Sequence, residues 1–118
     1  SYPGMPSPGE SSNSTIETLD VFPTLCDLAG LPKPDFVDGT SLRPLIEEPA
    51  AAGHPAVSYS GGAQTIRTET HRLILHRDGY AELYDHTSAA GETKNIAEEN
   101  PELVEELSAR LTERLNRE

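Results

Sequence analysis

Residues 64–85 read QTIRTETHRLILHRDGYAELYD, and this stretch decides the fold. This stretch contains three short β-type runs, at residues 64–69, 72–77 and 80–85, and a fourth run precedes it at residues 56–60. The dipeptide Asp78-Gly79 is the strongest hairpin signal, since it favours a type I′ turn with positive φ at both central residues. Because the runs are close in sequence and are joined by tight turns, they predict an antiparallel meander.

The most regular pattern in the chain follows this meander. Asn100 as N-cap and Pro101 in the first turn predict the start of a helix. Its apolar residues recur at helical spacing, at Leu103, Val104, Leu107, Leu111 and Leu115. Two i,i+4 pairs of opposite charge are expected within it, Glu106 with Arg110 and Glu113 with Arg117. We therefore expect an α+β unit, in which a small four-stranded antiparallel sheet is packed by a C-terminal helix.

The stretch before the meander contains one predicted helix. Residues 15–19 could form a short strand or the first turn of a helix, since Ser14 and Glu17 have capping-box spacing. Pro23 fits a helix only in the first turn, which places the N-cap at Asp20 and the helix at 21–29. Gly30, followed two residues later by a proline, ends it. The expected apolar face of this helix consists of Phe22, Leu25, Cys26, Leu28 and Ala29.

These patterns divide the chain into three segments. Residues 1–13 combine prolines, glycines and serines without periodicity, so they are expected to form a flexible arm. Residues 14–53 contain the predicted helix and a long loop, with one short helical turn expected around 42–46. Residues 54–118 contain the meander and the C-terminal helix.

The charge balance limits the partners of the chain. Its 118 residues include 9 Lys and Arg against 20 Asp and Glu, which gives a formal net charge of −11. Phosphate backbones and anionic lipid headgroups are bound by cations, so we expect neither nucleic-acid nor membrane binding. No apolar run approaches the length of a membrane span. Only 35% of the residues are hydrophobic, which predicts a small core.

The reactive residues show no catalytic or metal-binding spacing. The four histidines are not spaced in the close pairs that zinc sites use; they are His54, His71, His76 and His86. The carboxylates Asp78, Asp85 and Glu92 do not stand at the alternating positions of a calcium-binding loop. Cys26 has no activating base beside it, so it is interpreted as a small buried hydrophobic residue.

Two segments resemble a known enzyme family. Residues 17–32, ETLDVFPTLCDLAGLP, and 38–46, DGTSLRPLI, are similar to the late part of sulfatases, where the large catalytic domain joins a smaller C-terminal subdomain. The resemblance continues in order and spacing through TIRT at 65–68, RLI at 72–74, ELYD at 82–85 and ETKNIA at 92–97. Within the family, the iduronate-2-sulfatase group is the most similar. Residues 87–91 depart from the family pattern, which usually has an Asp-Pro turn there.

The resemblance implies a reaction and cofactors for a full-length enzyme. Sulfatases resemble alkaline phosphatase in fold, and they hydrolyse sulfate esters with a formylglycine, made in a Cys/Ser-x-Pro-x-Arg motif, beside a Ca²⁺ ion. Cys26 is followed by Asp27 and does not stand in such a motif, and the family's metal and sulfate ligands precede the matched segment. We therefore expect residues 14–53 to be a strand–helix remnant of the large α/β domain, and the isolated chain to hold no catalytic residues, no metal and no activity.

The same resemblance implies binding partners and a cellular location. The expected partners are the catalytic domain of the same chain and a sulfated carbohydrate or other sulfate ester. Related enzymes are commonly periplasmic, secreted or lysosomal. Two other functions remain open: a non-catalytic acidic interaction module, and the C-terminal part of a phosphate or phosphonate ester hydrolase of the same superfamily.

Substrate-binding residues are expected beside the first meander loop, because binding groups collect on loops held by a rigid sheet. The sulfatase resemblance implies that the C-terminal subdomain forms a wall of the substrate pocket. The candidates for this role are Tyr59, Ser60 and Gln64. Each could also be an ordinary strand-end residue. Arg67 could face a sulfate group or form a structural salt bridge with Glu69 or Glu82.

Overall fold

The computed structural model describes residues 2–116, which form two compact units that meet in sequence at His54 and Pro55. The first unit contains a 3₁₀ turn and two helices, at Thr18–Asp20, Val21–Leu28 (α1) and Arg43–Glu47 (α2). The second unit contains four strands and one helix, at Ala56–Ser60 (β1), Ala63–Arg67 (β2), His71–His76 (β3), Ala81–Asp85 (β4) and Pro101–Leu115 (α3). No helix in the described part of the chain is long and apolar enough to span a membrane.

The second unit is the predicted meander packed by a helix. Its strands pair antiparallel in the order β1-β2-β3-β4, which confirms the four-stranded sheet. β1 has the predicted boundaries, and the boundaries of the other strands differ from the prediction by at most two residues, most at β2. There the prediction continued to position 69, but Thr68 and His71 already close a turn through the bond from Thr68 N to the His71 carbonyl at 2.8 Å.

The turn between β3 and β4 differs from the predicted type. Gly79 has φ of 90°, but Asp78 does not adopt positive φ, so the type I′ prediction is wrong. The Gly79 N–H donates to the His76 carbonyl at 3.0 Å, and the His76 N–H donates to the Tyr80 carbonyl at 2.9 Å. This pattern is a tight turn followed by a glycine in the left-handed region, the usual form of three-residue hairpin loops. The extra loop residue explains why β4 begins at Ala81.

The core of the second unit is one row of side chains across the sheet and the helix above it. Ile66 of β2 lies opposite Leu73 of β3, which lies opposite Leu83 of β4. Each of the three is at most 1% exposed, as are Leu107 and Leu111 of α3. Further apolar residues pack around this cluster, among them Val57, Leu75, Leu103, Val104 and Leu115. The predicted apolar stripe of α3 therefore covers the sheet.

The charged pairs and the start of α3 follow the prediction only in part. Glu106 and Arg110 form the expected i,i+4 pair at 3.7 Å, while the pair of Glu113 with residue 117 lies outside the described residues. Asn100 is the N-cap residue by position, but its side chain makes no capping bond. Its Nδ2 instead donates to the Ile96 carbonyl at 3.0 Å, which ties the helix start to the preceding turn.

Asn95 binds the outer side of β4. Its Oδ1 accepts the N–H groups of Leu83 and Ala97, both at 2.9 Å, and its Nδ2 donates to the Ala81 carbonyl at 3.1 Å. The Ile96 N–H donates to the Leu83 carbonyl at 2.9 Å. The segment before α3 thus follows β4 and satisfies its backbone groups without forming a fifth strand.

Residues 87–91, where the sequence departs from the sulfatase pattern, form a turn held by Asp85. One oxygen of Asp85 accepts both the Thr87 N–H at 2.7 Å and the Thr87 hydroxyl at 2.6 Å. These bonds lower the pKa of the Asp85 carboxyl. Asp85 also forms an isolated antiparallel bridge with Gly91. The turn therefore closes without a proline.

In the first unit, the expected helix is present and the expected strand is not. Residues 15–17 form no strand, and Thr18–Asp20 is a 3₁₀ turn that runs directly into α1. Asp20 is the N-cap residue of α1 but makes no side-chain capping bond. Its fully buried carboxylate accepts the Glu17 N–H at 2.8 Å and the Thr40 N–H at 2.9 Å. The Asp20 side chain therefore links the turn before α1 to the loop after it, and it does not cap the helix.

The DGTSLR segment lies against α1 through side chains of that helix. Thr24 Oγ1 accepts the Leu42 N–H at 2.8 Å, and Asp27 accepts the Ser41 hydroxyl at 2.6 Å. Arg43 Nη1 lies 3.2 Å from the second oxygen of Asp27. The Ser41 bond, aided by Arg43, lowers the pKa of Asp27. The two segments that carry the sulfatase resemblance are therefore bonded to each other.

The apolar face predicted for α1 is only partly buried, which corrects the sequence analysis. Cys26 is buried as expected, but Phe22 and Leu25 are 51% and 59% exposed. The buried side of the helix also contains Pro23 and Thr24. Helical periodicity identified the apolar residues, but it could not show which side of the helix the DGTSLR segment would cover.

Residues 2–13 contain neither helix nor strand. Two turns interrupt them, with bonds from Met5 N to the Tyr2 carbonyl and from Glu10 N to the Ser7 carbonyl. Gly4 and Gly9 take positive φ in these turns. The segment therefore has local turns but no regular secondary structure.

Candidate functional site

The three predicted substrate-binding residues lie around one cavity of about 480 Å³. Tyr59 and Gln64 face each other across the β1–β2 pair, and Ser60 faces Ala63 at the start of the turn. The remaining walls come from the turn glycines and from the end of β3, namely Gly61, Gly62, Leu75, His76 and Arg77. A substrate role for Tyr59, Ser60 and Gln64 stays a prediction, but the fold brings all three together.

The sheet register explains why these residues meet. Leu75 of β3 lies opposite Gln64, which in turn lies opposite Tyr59. Side chains alternate along each strand, so this row is on the same face as the buried row of Ile66 and Leu73, one step closer to the turn. The face changes here from apolar to polar: Tyr59 is 67% exposed, whereas Ile66 is 1% exposed. The cavity thus begins where the core ends.

Arg77 supplies the positive charge of the cavity, and the sequence analysis did not select it. Its backbone N–H donates to the Gly62 carbonyl at 2.8 Å, and its Nη2 donates to the Gly61 carbonyl at 3.0 Å. Both contacts cross from the β3 end to the β1–β2 turn, which brings a residue thirteen positions beyond Gln64 beside it. No local pattern signals this, because the placement depends on strand register.

His76, at the cavity wall, belongs to a hydrogen-bonded chain with β4. Its Nε2 lies 2.6 Å from Glu82 Oε1, and the Tyr84 hydroxyl donates to the other oxygen of Glu82. The bonds from Tyr84 and His76 lower the pKa of Glu82, and the bond to Glu82 raises the pKa of Tyr84 to about 12. Because Glu82 is a carboxylate acceptor, His76 donates from Nε2. The Tyr80 ring, 5.5 Å from the imidazole centre, completes the arrangement.

Arg67, the other cation considered from the sequence, is used for local structure. Its Nη1 donates to the backbone carbonyls of Thr68 and His71, which close the β2–β3 turn. Glu82, one of its expected partners, is instead bound by His76 and Tyr84. Arg67 is not among the residues that line the cavity.

A carboxylate–histidine cluster that no sequence pattern predicted occurs in the first unit. Ligand-type atoms of Glu17, Asp20 and His54 lie within 4.8 Å of one another. His54 Nε2 is 3.0 Å from Asp20 Oδ2, which also accepts the Glu17 N–H, and Asp20 Oδ1 accepts the Thr40 N–H. Ca²⁺ takes about six to eight oxygen ligands, whereas this cluster combines two carboxylates with an imidazole. The cluster does not fit the calcium site of a sulfatase.

Comparison with known proteins gives the family of the chain. Residues 1–118 match the family described as N-sulphoglucosamine sulphohydrolase, C-terminal. Arylsulfatase K of Danio rerio is 31% identical over 119 residues, which cover 89% of this chain and 23% of that protein. Delta 4,5-hexuronate-2-O-sulfatase of Bacteroides thetaiotaomicron is 33% identical over 96 residues, which cover 72% of this chain and 20% of that protein. The chain spans less than a quarter of the length of these relatives.

Solved structures agree with this match. A structure described as a 2-O GAG sulfatase superimposes with a TM-score of 0.69 and 28% identity, covering 85% of this chain and 24% of that one. The phosphonate monoester hydrolase of Agrobacterium radiobacter shares the fold, with a TM-score of 0.63 and 23% identity over 83% of this chain and 24% of that one. From its sequence match and its fold, the chain belongs to the N-sulphoglucosamine sulphohydrolase C-terminal family and is a C-terminal sulfatase domain.

Proposed function

We propose that this chain is the C-terminal part of a sulfuric ester hydrolase, and that it forms one wall of the pocket for a 2-O-sulfated uronate sugar. The catalytic formylglycine and Ca²⁺ would belong to the preceding part of the enzyme, so the isolated chain has no activity. Support for the uronate comes from the names of a relative and of a solved structure, a hexuronate-2-O-sulfatase and a 2-O GAG sulfatase. Their specificity agrees with the resemblance to the iduronate-2-sulfatase group.

The exposed apolar side of α1 supports the proposed union with a catalytic domain. Val21, Phe22 and Leu25 are each about half exposed, and Leu25 lies four residues after Val21 and three after Phe22, which places them on one side of the helix. Other large apolar residues of the first unit are also exposed, at Ile16, Leu19, Leu31 and Phe36. Apolar side chains concentrated in this way in a very acidic chain are typical of a surface that another domain covers. The relatives contain more than three quarters of their length outside the matched region, which is the proposed occupant.

The observation that carries the pocket role is the cavity at the β1–β2 turn. Its polar groups come from Tyr59, Ser60, Gln64 and Arg77, while Leu75 supplies an apolar wall. A volume of about 480 Å³ is within the range of small-molecule sites. Hydroxyl and amide groups of this kind bind sugar hydroxyls, and none of the four polar residues belongs to the core cluster.

The test uses the longer enzyme that contains this chain. Tyr59→Ala should lower kcat/KM for a 2-O-sulfated uronate disaccharide more than for a small aryl sulfate, because only the larger substrate reaches the cavity. Ser58→Ala is the matched control, since Ser58 is exposed on the same strand and does not line the cavity. Equal losses on both substrates would contradict the pocket role. Failure to release sulfate from any substrate by the unmodified enzyme would contradict the sulfatase assignment itself.

A phosphonate or phosphate ester hydrolase is the second candidate, because the phosphonate monoester hydrolase structure shares the fold. The two reactions use related tetrahedral anions, so the C-terminal part alone does not separate them. Assay of the same enzyme on an aryl sulfate and on an aryl phosphonate monoester does. Faster turnover of the phosphonate would favour the second candidate.

A further inference from the structure

The guanidinium group of Arg77 lies at the cavity wall and forms no salt bridge with any residue in the range 2–116. Its Nη2 is anchored to the Gly61 carbonyl, while its other N–H groups make no bond to protein within residues 2–116. No carboxylate in that range forms an ion pair with it. Arginine N–H groups in a rigid plane match the oxygens of carboxylate and sulfate groups.

The two carboxylates near Arg77 in the hairpin, Asp78 and Glu82, form hydrogen bonds with other groups. Asp78 Oδ1 accepts the Tyr80 N–H at 3.0 Å. Glu82 accepts bonds from His76 and Tyr84. Neither carboxylate forms an ion pair with Arg77, so its guanidinium can bind an anionic group even though the chain has a formal net charge of −11. A ligand that carries an anionic group finds its partner here rather than on the surrounding surface.

The other walls of the cavity fit the rest of a sugar. Tyr59 offers an exposed aromatic ring, against which the C–H face of a pyranose can pack. Gln64, which is exposed opposite Tyr59, offers an amide with donor and acceptor atoms for hydroxyl groups. The guanidinium, the ring and the amide surround the same cavity.

We propose that this cavity is a subsite for an acidic sugar, in which Arg77 binds the carboxylate or sulfate group while Tyr59 packs against the ring. The inference deepens the proposed function and rests on it for the origin of the sugar. Arg77 would then select substrates by an anionic group other than the ester that is cleaved.

The experiment measures binding to the 118-residue chain itself, by amide chemical shifts at low ionic strength, where a single exposed cation is least screened. The probes are an unsulfated glucuronate–N-acetylglucosamine disaccharide, N-acetylglucosamine 6-sulfate, and neutral N,N′-diacetylchitobiose. The amides of Gly61, Gly62 and Arg77 should shift with at least one acidic probe and much less with the neutral one. The probe that binds identifies the group as carboxylate or sulfate.

Variants separate the subsite from general charge attraction. Arg77→Gln should weaken binding of the acidic probe about tenfold or more, since a charge-assisted bond is lost. Arg77→Lys should recover part of the affinity, and Tyr59→Leu should weaken binding while the fold stays intact. Arg110→Gln removes the same charge from the exposed side of α3 and is the control. Chemical shifts remote from the cavity report whether each variant is folded.

The subsite would be overturned by equal shifts with the neutral and acidic probes, or by unchanged affinity in Arg77→Gln. Absence of binding by both acidic probes would also overturn it. None of these results depends on catalysis. Sulfate release from a small aryl sulfate by the longer enzyme tests the proposed function separately, so either idea can fail alone.

Discussion

The hydroxyl of Thr24 accepts the backbone N–H of Leu42 at 2.8 Å and donates to the Asp20 carbonyl at 2.6 Å. One side chain of α1 thus satisfies a backbone group in a loop eighteen residues later. Replacement by valine keeps the shape but leaves the partly buried Leu42 N–H without its acceptor. We expect Thr24→Val to destabilise the first unit by about 1–3 kcal/mol.

Cys26 provides the readout for this change, because it is the single cysteine and is buried in the same helix. The rate at which a thiol reagent labels Cys26 under native conditions reports opening of α1. Thr24→Val should accelerate labelling, whereas Thr112→Val, on the exposed side of α3, should not. Identical labelling rates in the two variants would mean that the Thr24–Leu42 bond does not hold the loop.

Gly39 is required for the approach of its loop to the 3₁₀ turn. An alanine Cβ at this position would lie 2.0 Å from the Leu19 carbonyl oxygen, a backbone atom that has little freedom to move. Gly39→Ala should therefore cost roughly 1–3 kcal/mol and should also accelerate Cys26 labelling. Gly62→Ala is the control, since a Cβ there meets no atom within 4 Å. Wild-type labelling in Gly39→Ala would show that the loop can shift without loss.

Leu107 is the test of the helix–sheet core. It is 1% exposed and belongs to the cluster with Ile66, Leu73 and Leu83. Leu107→Ala should destabilise the second unit by about 2–5 kcal/mol, as read from amide exchange of Leu73 and from thermal unfolding. Leu103→Ala, on the partly buried flank of the same helix, should cost less. If the order of the two losses were reversed, α3 would pack in another rotation.

The pair of Glu82 and Tyr84 predicts stability losses at both ends of the pH scale. The bonds that lower the pKa of Glu82 contribute stability above its ordinary value of 4.5, and this contribution is lost as pH falls through the lowered value. The pKa of Tyr84 is raised from 10.0 to about 12, so its contribution is complete below pH 10 and is lost as pH rises towards 12.

Ultraviolet titration of the phenolate band checks the alkaline part. One tyrosine should titrate near pH 12, and Tyr84→Phe should remove that step and the accompanying loss of stability. Tyr59→Phe should leave both unchanged. A titration curve that is the same in Tyr84→Phe and in the unmodified chain would exclude the Glu82–Tyr84 bond.

Exposure of the apolar side of α1 predicts the behaviour of the isolated chain. Because Phe22 and Leu25 are 51% and 59% exposed, the double variant Phe22→Ser, Leu25→Ser should bind less of a hydrophobic dye and stay soluble at higher concentration. Cys26 labelling should change little, since neither side chain is buried. In the longer enzyme the same variant should disturb the union with the catalytic domain and lower activity on every substrate.

Local patterns predicted what depends on local interactions. The strands, α1 and α3 were predictable because alternation, helical spacing and Pro101 act within a few residues. The Asp78 conformation was not, since a dipeptide signal does not distinguish two-residue from three-residue loops. Local patterns also could not predict the bond of Thr24 to Leu42 or the placement of Arg77, because each joins segments that are distant in sequence. Tyr59, Ser60 and Gln64 could be proposed since they flank one recognisable turn.

The contacts of Asn95 have a consequence for self-association. Edge strands offer unpaired N–H and carbonyl groups on which another chain can add a strand, and this is a common route to aggregation. At β4 the side chain of Asn95 and the N–H of Ile96 already occupy groups of Ala81 and Leu83. β1, the other end of the sheet, has one strand neighbour, β2, within the described residues. Loss of Asn95 would therefore expose backbone groups of Ala81 and Leu83 and make the β4 edge available for strand addition by another chain.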